Sequence, residues 1–163
     1  MNKKNKKYHR RPTRLRTHDY SVSGYYFITT CVLGHKCVFG YIRNGKIIHN
    51  EYGKIAIDQL HWLAECYDFV KIRTFMVMPN HVHIILELLP DNGRRTSLSL
   101  SQLVGAYKTK SSTLIRKQGL KSFSWQRSFY DHVIIHPKSY ENITAYIQTN
   151  SMNWKRDRFY RHD

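Results

Sequence analysis

The chain has 163 residues, enough for one domain with a substantial buried core. A hydrophobic share of 41% with 13% aromatics excludes a disordered chain. Lys and Arg number 27 against 11 Asp and Glu, and a formal charge of +16 repels itself unless a polyanion answers it, which points to nucleic acid or an acidic membrane surface.

Residues 1–18 form a basic arm with no acid before Asp19. Lys3, Lys4, Arg10, Arg11, Arg14 and Arg16 are its candidate DNA contacts, because such an arm gains affinity by releasing condensed counterions. The arm lacks the apolar core of a secretory signal, and no later stretch reaches the roughly 18 apolar residues of a membrane span, so no membrane partner is expected. Residues 19–163 read as a single domain. Cys31, Cys37 and Cys66 are odd in number and lack C-x-x-C spacing, which argues against structural zinc or a disulfide framework and for a reducing cytoplasm.

Gly24 opens a run from Tyr25 to Val32 that is aromatic and β-branched, hence a strand. Gly34 to Gly45 is a turn-rich excursion, read as a hairpin ending near Ile47 and Ile48. Asn50 can cap a helix whose apolar stripe is Tyr52, Ile55, Ala56, Leu60, Leu63, Ala64 and Tyr67. Phe69–Met78 and His81–Leu89 are strands joined by Pro79-Asn80, with Asn80 expected in a left-handed corner. A polar loop over Asp91–Thr96 follows, and Leu103, Ala106, Tyr107 and Leu114 give Leu100–Arg116 helical spacing, with Gly119 just past its end. Phe129–Ile135 is a strand, and Pro137 begins a final helix where its missing N–H does no harm. The order matches a ferredoxin-like βαββαβ α+β plan, an antiparallel sheet with helices on one face, followed by a C-terminal helix.

Alternation in the central strand puts His81, His83, Ile85 and Glu87 on one face. Two histidines two apart on a rigid strand can share one metal ion, although a pair of surface histidines gives the same pattern. Glu87 is four residues from His83, too far to join them. In the last helix Tyr140, Ile143 and Ile147 form the buried stripe, Tyr146 lies at its edge, and Asn150 is one turn further on the same side. A tyrosine so placed can rest its ring on the sheet and keep its hydroxyl open to substrate; an ordinary amphipathic contact would look alike.

Three spaced segments carry a resemblance: Met78-Pro79-Asn80-His81-Val82-His83, Trp125-Gln126-Arg127-Ser128-Phe129-Tyr130-Asp131-His132, and Tyr146-Ile147-Gln148-Thr149-Asn150. In that order they resemble the single-tyrosine HUH transposases, most of all the REP-associated tyrosine transposase branch. Asp19-Tyr20, Gly24 to Thr29, Tyr107-Lys108-Thr109 and the tail Asn153 to Phe159 are similar too. Family members usually follow the helix asparagine with proline; Ser151 stands here.

The resemblance implies a ferredoxin-like fold, a bacterial host and cleavage of single-stranded or hairpin DNA through a 5′-phosphotyrosine. Tyr146 would be the nucleophile, and His81, His83 and Asn150 would hold Mg²⁺ or Mn²⁺, the histidines suiting Mn²⁺ somewhat better. His132 lies in a shared motif and is a candidate for lining the site, or else is a partly buried strand histidine with a structural hydrogen bond. Tyr107, Lys108 and Lys110 would meet phosphates and bases, or else belong to a solvated basic helix face. The protein is expected in the cytoplasm at the nucleoid, as a monomer or homodimer. A hairpin-binding relative that no longer cuts would share every one of these features.

Overall fold

The computed structural model describes residues 22–90 and 98–161. The basic arm, with Lys3, Lys4, Arg10, Arg11, Arg14 and Arg16, lies outside the described residues. The strands β1 (Gly24–Cys31), β4 (Val70–Val77), β5 (His81–Leu88) and β6 (Tyr130–Ile134) form one sheet in the order β4-β5-β1-β6, every pair antiparallel. Between β1 and the first helix stands a separate hairpin, β2 (Gly40–Arg43) and β3 (Lys46–His49). Asn44 and Gly45 turn it at φ 52° and 72°, the left-handed pair that a two-residue hairpin needs.

Helix α1 (Glu51–Cys66) starts where the Asn50 side chain accepts from Gly53 N at 3.0 Å. Helix α2 (Leu100–Lys117) starts at a reciprocal Ser99–Gln102 capping box. Both helices cover one sheet face. Their stripes bury Ala56, Leu60, Leu63, Leu103, Val104 and Tyr107 against Tyr26, Ile28, Val82, Ile84 and Leu86, making the main core. Helix α3 (Pro137–Thr149) packs on the opposite face, where Ile147 meets Ile85 and Ile134. The histidine face of β5 is therefore sandwiched under the tyrosine helix rather than turned to solvent. Among the described residues no helix is long and apolar enough to cross a membrane.

The Pro79-Asn80 turn departs from expectation. Among the described residues only His35 and Asn44 are non-glycine positions at positive φ, so Asn80 is not in a left-handed corner. Its backbone is instead claimed by the fold: the Asn80 carbonyl accepts from Val32 N at 2.9 Å, and the Pro79 carbonyl accepts from Val38 N at 2.8 Å.

Candidate active site

Register sets the centre of the site. Thr29 of β1 lies opposite His83, so the hydroxyl of Thr29 reaches His83 Nδ1 at 2.8 Å. His81 and His83 are 0% and 1% exposed, and their Nε2 atoms stand 3.0 Å apart. His81 Nδ1 meets Asn80 Oδ1 at 2.8 Å. The Asn80 amide nitrogen donates to the carbonyls of His35 (3.0 Å) and Phe159 (2.8 Å), which identifies Oδ1 as the acceptor. His81 Nδ1 then carries the proton, and its Nε2 presents a lone pair to His83.

Burial pushes His81 down to about 3, with His35 and Arg158 adding to the effect. His83 is held well below its ordinary value, first by burial and then by His81. Both rings are neutral near pH 7, the form that ligates a metal.

From α3, the Tyr146 hydroxyl comes to 3.2 Å from His83 Nε2, and its ring stands edge-on to Phe27 with centroids 6.2 Å apart. Tyr146 remains 43% exposed. Burial raises its pKa, and the charge of Asp157 raises it further, so the site as it stands keeps the phenol protonated. One turn on, Asn150 is buried; its amide nitrogen donates to Asp157 Oδ2 at 2.9 Å. Asn150 Oδ1 is buried with no hydrogen-bond partner, which costs about 1–3 kcal/mol of desolvation unless a cation or donor meets it.

Asp157 was not anticipated from the sequence. It comes from the tail after α3, with Oδ2 3.9 Å from His81 Nε2 and Oδ1 accepting from Phe159 N at 2.6 Å. Among the described residues, His81, His83 and Asp157 offer ligand atoms that all lie within 4.8 Å of one another. Two imidazole nitrogens and a carboxylate are a mixed N/O donor set that fits a divalent cation such as Mn²⁺, and Asn150 turns its amide nitrogen to that carboxylate. The same tail roofs the histidines: the Phe159 ring is 4.7 Å from His81, and Trp154 is 6.1 Å away.

Tyr146 also opens onto a cleft of about 220 Å³ lined by Asn150, Asn153, Arg156, Asp157 and Arg158. The Arg158 guanidinium sits 4.4 Å over Phe159 and 5.6 Å from the Tyr130 ring. Two arginines beside the hydroxyl suit a phosphate group. The sequence offered these residues only as part of a familiar tail.

The other expected residues fall elsewhere. Tyr107 is 1% exposed and gives its hydroxyl to the Ala56 carbonyl at 3.2 Å, so it is a core residue and offers no face to a base. Lys108 donates to the carbonyls of Gln126 (2.9 Å) and Ser128 (3.0 Å), and burial draws its pKa down to about 8. It fastens the loop before β6 rather than projecting to solvent. Lys110 is exposed, 5.1 Å over the Trp62 ring. His132 lies opposite Phe27 on edge strand β6, exposed on the tyrosine side of the sheet but in no contact with the histidine pair. Glu87 is paired with Arg73 and stands apart from the cluster.

Known proteins share this fold. Residues 29–150 match the family model described as Transposase IS200 like. An uncharacterized protein of Haemophilus influenzae is 32% identical over 171 residues, covering 94% of each chain. Among solved structures, a REP-associated tyrosine transposase bound to a REP hairpin superposes with a TM-score of 0.62 at 20% identity, over 86% of this chain and 73% of that one. A candidate transposase from Deinococcus radiodurans R1 superposes at 0.52 with 16% identity, over 83% of this chain and 95% of that one. The two superpositions establish a common fold.

Proposed function

Because the chain belongs to the IS200-like transposase family, we propose that it cuts and rejoins single-stranded, hairpin-bearing DNA with Tyr146 as the nucleophile. The observation that carries this reading is the 3.2 Å approach of the Tyr146 hydroxyl to His83 within the His81–His83–Asp157 cluster. A hairpin is the substrate form carried by the structural relative, and a basic chain of +16 suits it.

His81, His83 and Asp157, with the Asn150 amide oxygen, would hold Mn²⁺ or Mg²⁺. The cation would neutralise charge building on the phosphate oxygens. Arg156 and Arg158 bind the phosphate on the open side of the cleft and orient it toward the phenol. Tyr146 Oη forms the bond to phosphorus as the bond to the 3′ oxygen breaks; the phenol loses a proton and the leaving 3′-hydroxyl gains one. The resulting 5′-phosphotyrosine keeps the phosphodiester energy, so a second strand's 3′-hydroxyl can reverse the step and complete strand transfer.

One observation favours a second reading. Both histidines are buried, His81 under Phe159 and Trp154 and His83 beside Phe159, the arrangement that a hairpin binder without cutting activity would also show. Incubation with labelled hairpins from the gene's flanks in Mn²⁺ or Mg²⁺, followed by a denaturing gel, separates the two. A metal-dependent covalent adduct, lost in Tyr146→Phe and in His81→Ala/His83→Ala, establishes the nuclease. Tight hairpin binding with no adduct in any metal overturns it in favour of the binder.

A further inference from the structure

The two histidines have different partners on Nδ1, and the difference decides where each ring carries its proton. Asn80 Oδ1 can only accept, so His81 is fixed with its proton on Nδ1 and its lone pair on Nε2. Thr29 Oγ1, 2.8 Å from His83 Nδ1, belongs to a hydroxyl that can either donate or accept. Each ring is buried and neutral, and so holds one proton. Two lone pairs facing each other across 3.0 Å would repel, so the proton between the Nε2 atoms belongs to His83. His83 Nδ1 then accepts from the Thr29 hydroxyl. His81 is thus in the form that ligates a cation through Nε2, and His83 is in the opposite one.

We propose that Thr29 is a positioning residue that lets His83 exchange tautomers for cation binding. The ring gives up its proton at Nε2 and takes one at Nδ1, while the hydroxyl turns from donor to acceptor. The N–H bond at Nε2 breaks, the one at Nδ1 forms, and the charge of the ring is unchanged. Both Nε2 lone pairs then face the cluster that Asp157 completes. The inference rests on the reading above that these histidines hold a divalent cation, and it names what prepares the second of them. Turning the ring over is no substitute, because that would carry Nδ1 away from Thr29 and Nε2 away from His81. The ring is also hemmed in by those of His81, Tyr146 and Phe27 at 4.5, 5.2 and 5.4 Å. Thr29 itself is held between two strands, opposite His83 on one side and Tyr130 on the other. Only its hydroxyl hydrogen has to move. An asparagine at this position could not replace it through its oxygen, which accepts but never donates.

The test reads the tautomers directly, on the full chain labelled with ¹⁵N-histidine. Two-bond ¹H–¹⁵N spectra are taken near neutral pH without metal and with Zn²⁺, a diamagnetic ion that binds imidazole nitrogen. The His83 signals are identified by their loss in His83→Gln. Without metal, His83 is expected with its proton on Nε2 beside a His81 with its proton on Nδ1; with Zn²⁺ both carry it on Nδ1. Calorimetry with Mn²⁺ then compares variants. Thr29→Val, which keeps the branched shape without the hydroxyl, is expected to bind about 10–100-fold more weakly. Thr29→Ser keeps most of the wild-type affinity. A His83 proton already on Nδ1 before Zn²⁺ is added, or still on Nε2 afterwards, overturns the proposal. So does wild-type affinity in Thr29→Val, or an equal loss in Thr29→Ser. A purely structural Thr29 would lower the thermal melt of Thr29→Val and leave the His83 signals unmoved by Zn²⁺. Should Thr29→Val fail to fold, the wild-type spectra and the serine variant still decide. The two readings fail separately: exchange without any covalent adduct keeps the role of Thr29 and removes the nuclease, and an adduct formed with His83 unchanged does the reverse.

Discussion

Tyr146 and His83 meet at a single nitrogen: the phenol hydroxyl is 3.2 Å from His83 Nε2, which also faces His81 Nε2 at 3.0 Å. That nitrogen thus faces the hydroxyl, the His81 ring and any cation the histidines would share. The Tyr146 hydroxyl rests on a candidate ligand atom and would have to release it for a cation to bind there.

Removing that competitor frees the nitrogen. Tyr146→Phe is expected to bind Mn²⁺ about two- to tenfold more tightly than wild type, since a net hydrogen bond contributes about 0.5–1.5 kcal/mol. Calorimetric titration reads this directly, and weaker binding by the phenylalanine variant would show that the hydroxyl belongs to the cation's coordination instead.

Asn80 holds His81 in its tautomer and ties down both His35 and the tail. Asn80→Ala leaves the His35 and Phe159 carbonyls and His81 Nδ1 without partners. Loss of about 2–4 kcal/mol in urea unfolding is expected, together with metal affinity lower by about 10–100-fold. Asn80→Asp keeps the acceptor for Nδ1 and retains more of the affinity than the alanine variant does.

Asp157 is the carboxylate of the cluster. Asp157→Ala is expected to weaken Mn²⁺ binding by at least about tenfold while leaving the fold intact, read by metal titration beside a thermal melt. Unchanged affinity would assign the oxygen donor to Asn150 alone.

The histidines also give an acid signature. Their folded pKa values are depressed, to about 3 for His81, whereas the unfolded chain takes up these protons near 6.5. Between those values the unfolded state binds more protons, so metal-free stability falls as pH drops through this window and is restored above it. Urea midpoints measured from about pH 7.5 to about pH 4 are expected to decline, and His81→Gln/His83→Gln to flatten the decline.

Lys108 makes a prediction opposite to its motif. Lys108→Met leaves the Gln126 and Ser128 carbonyls without their donor and is expected to cost about 1–3 kcal/mol of stability. Hairpin affinity and its salt slope, measured on the folded protein, stay at the wild-type values. A flattened slope would return Lys108 to the DNA surface.

Local patterns made part of this molecule legible. Alternation along His81–Glu87 put both histidines on one face, the turn-rich stretch from Gly34 to Gly45 marked a hairpin, and the four-residue step from Tyr146 to Asn150 put both on one side of α3. Tyr107 was misassigned against a pattern already visible: it shares the apolar stripe of Leu103, and a residue on that stripe cannot also face solvent. Asn80 read as a turn former because turn chemistry is local, while its side chain answers to Phe159, distant in the chain. Asp157, Arg156 and Arg158 lie in a tail with no period of its own, and only its return across the sheet gives them roles.

Ser151 follows the end of α3, and its hydroxyl clasps the Gly45 carbonyl. A helix clasped to its own chain is a poor candidate for exchange between molecules, since lending it to a neighbour would break that bond and uncover Ile147, which is fully buried. Tyr146 and the histidine it faces are then held together within one chain.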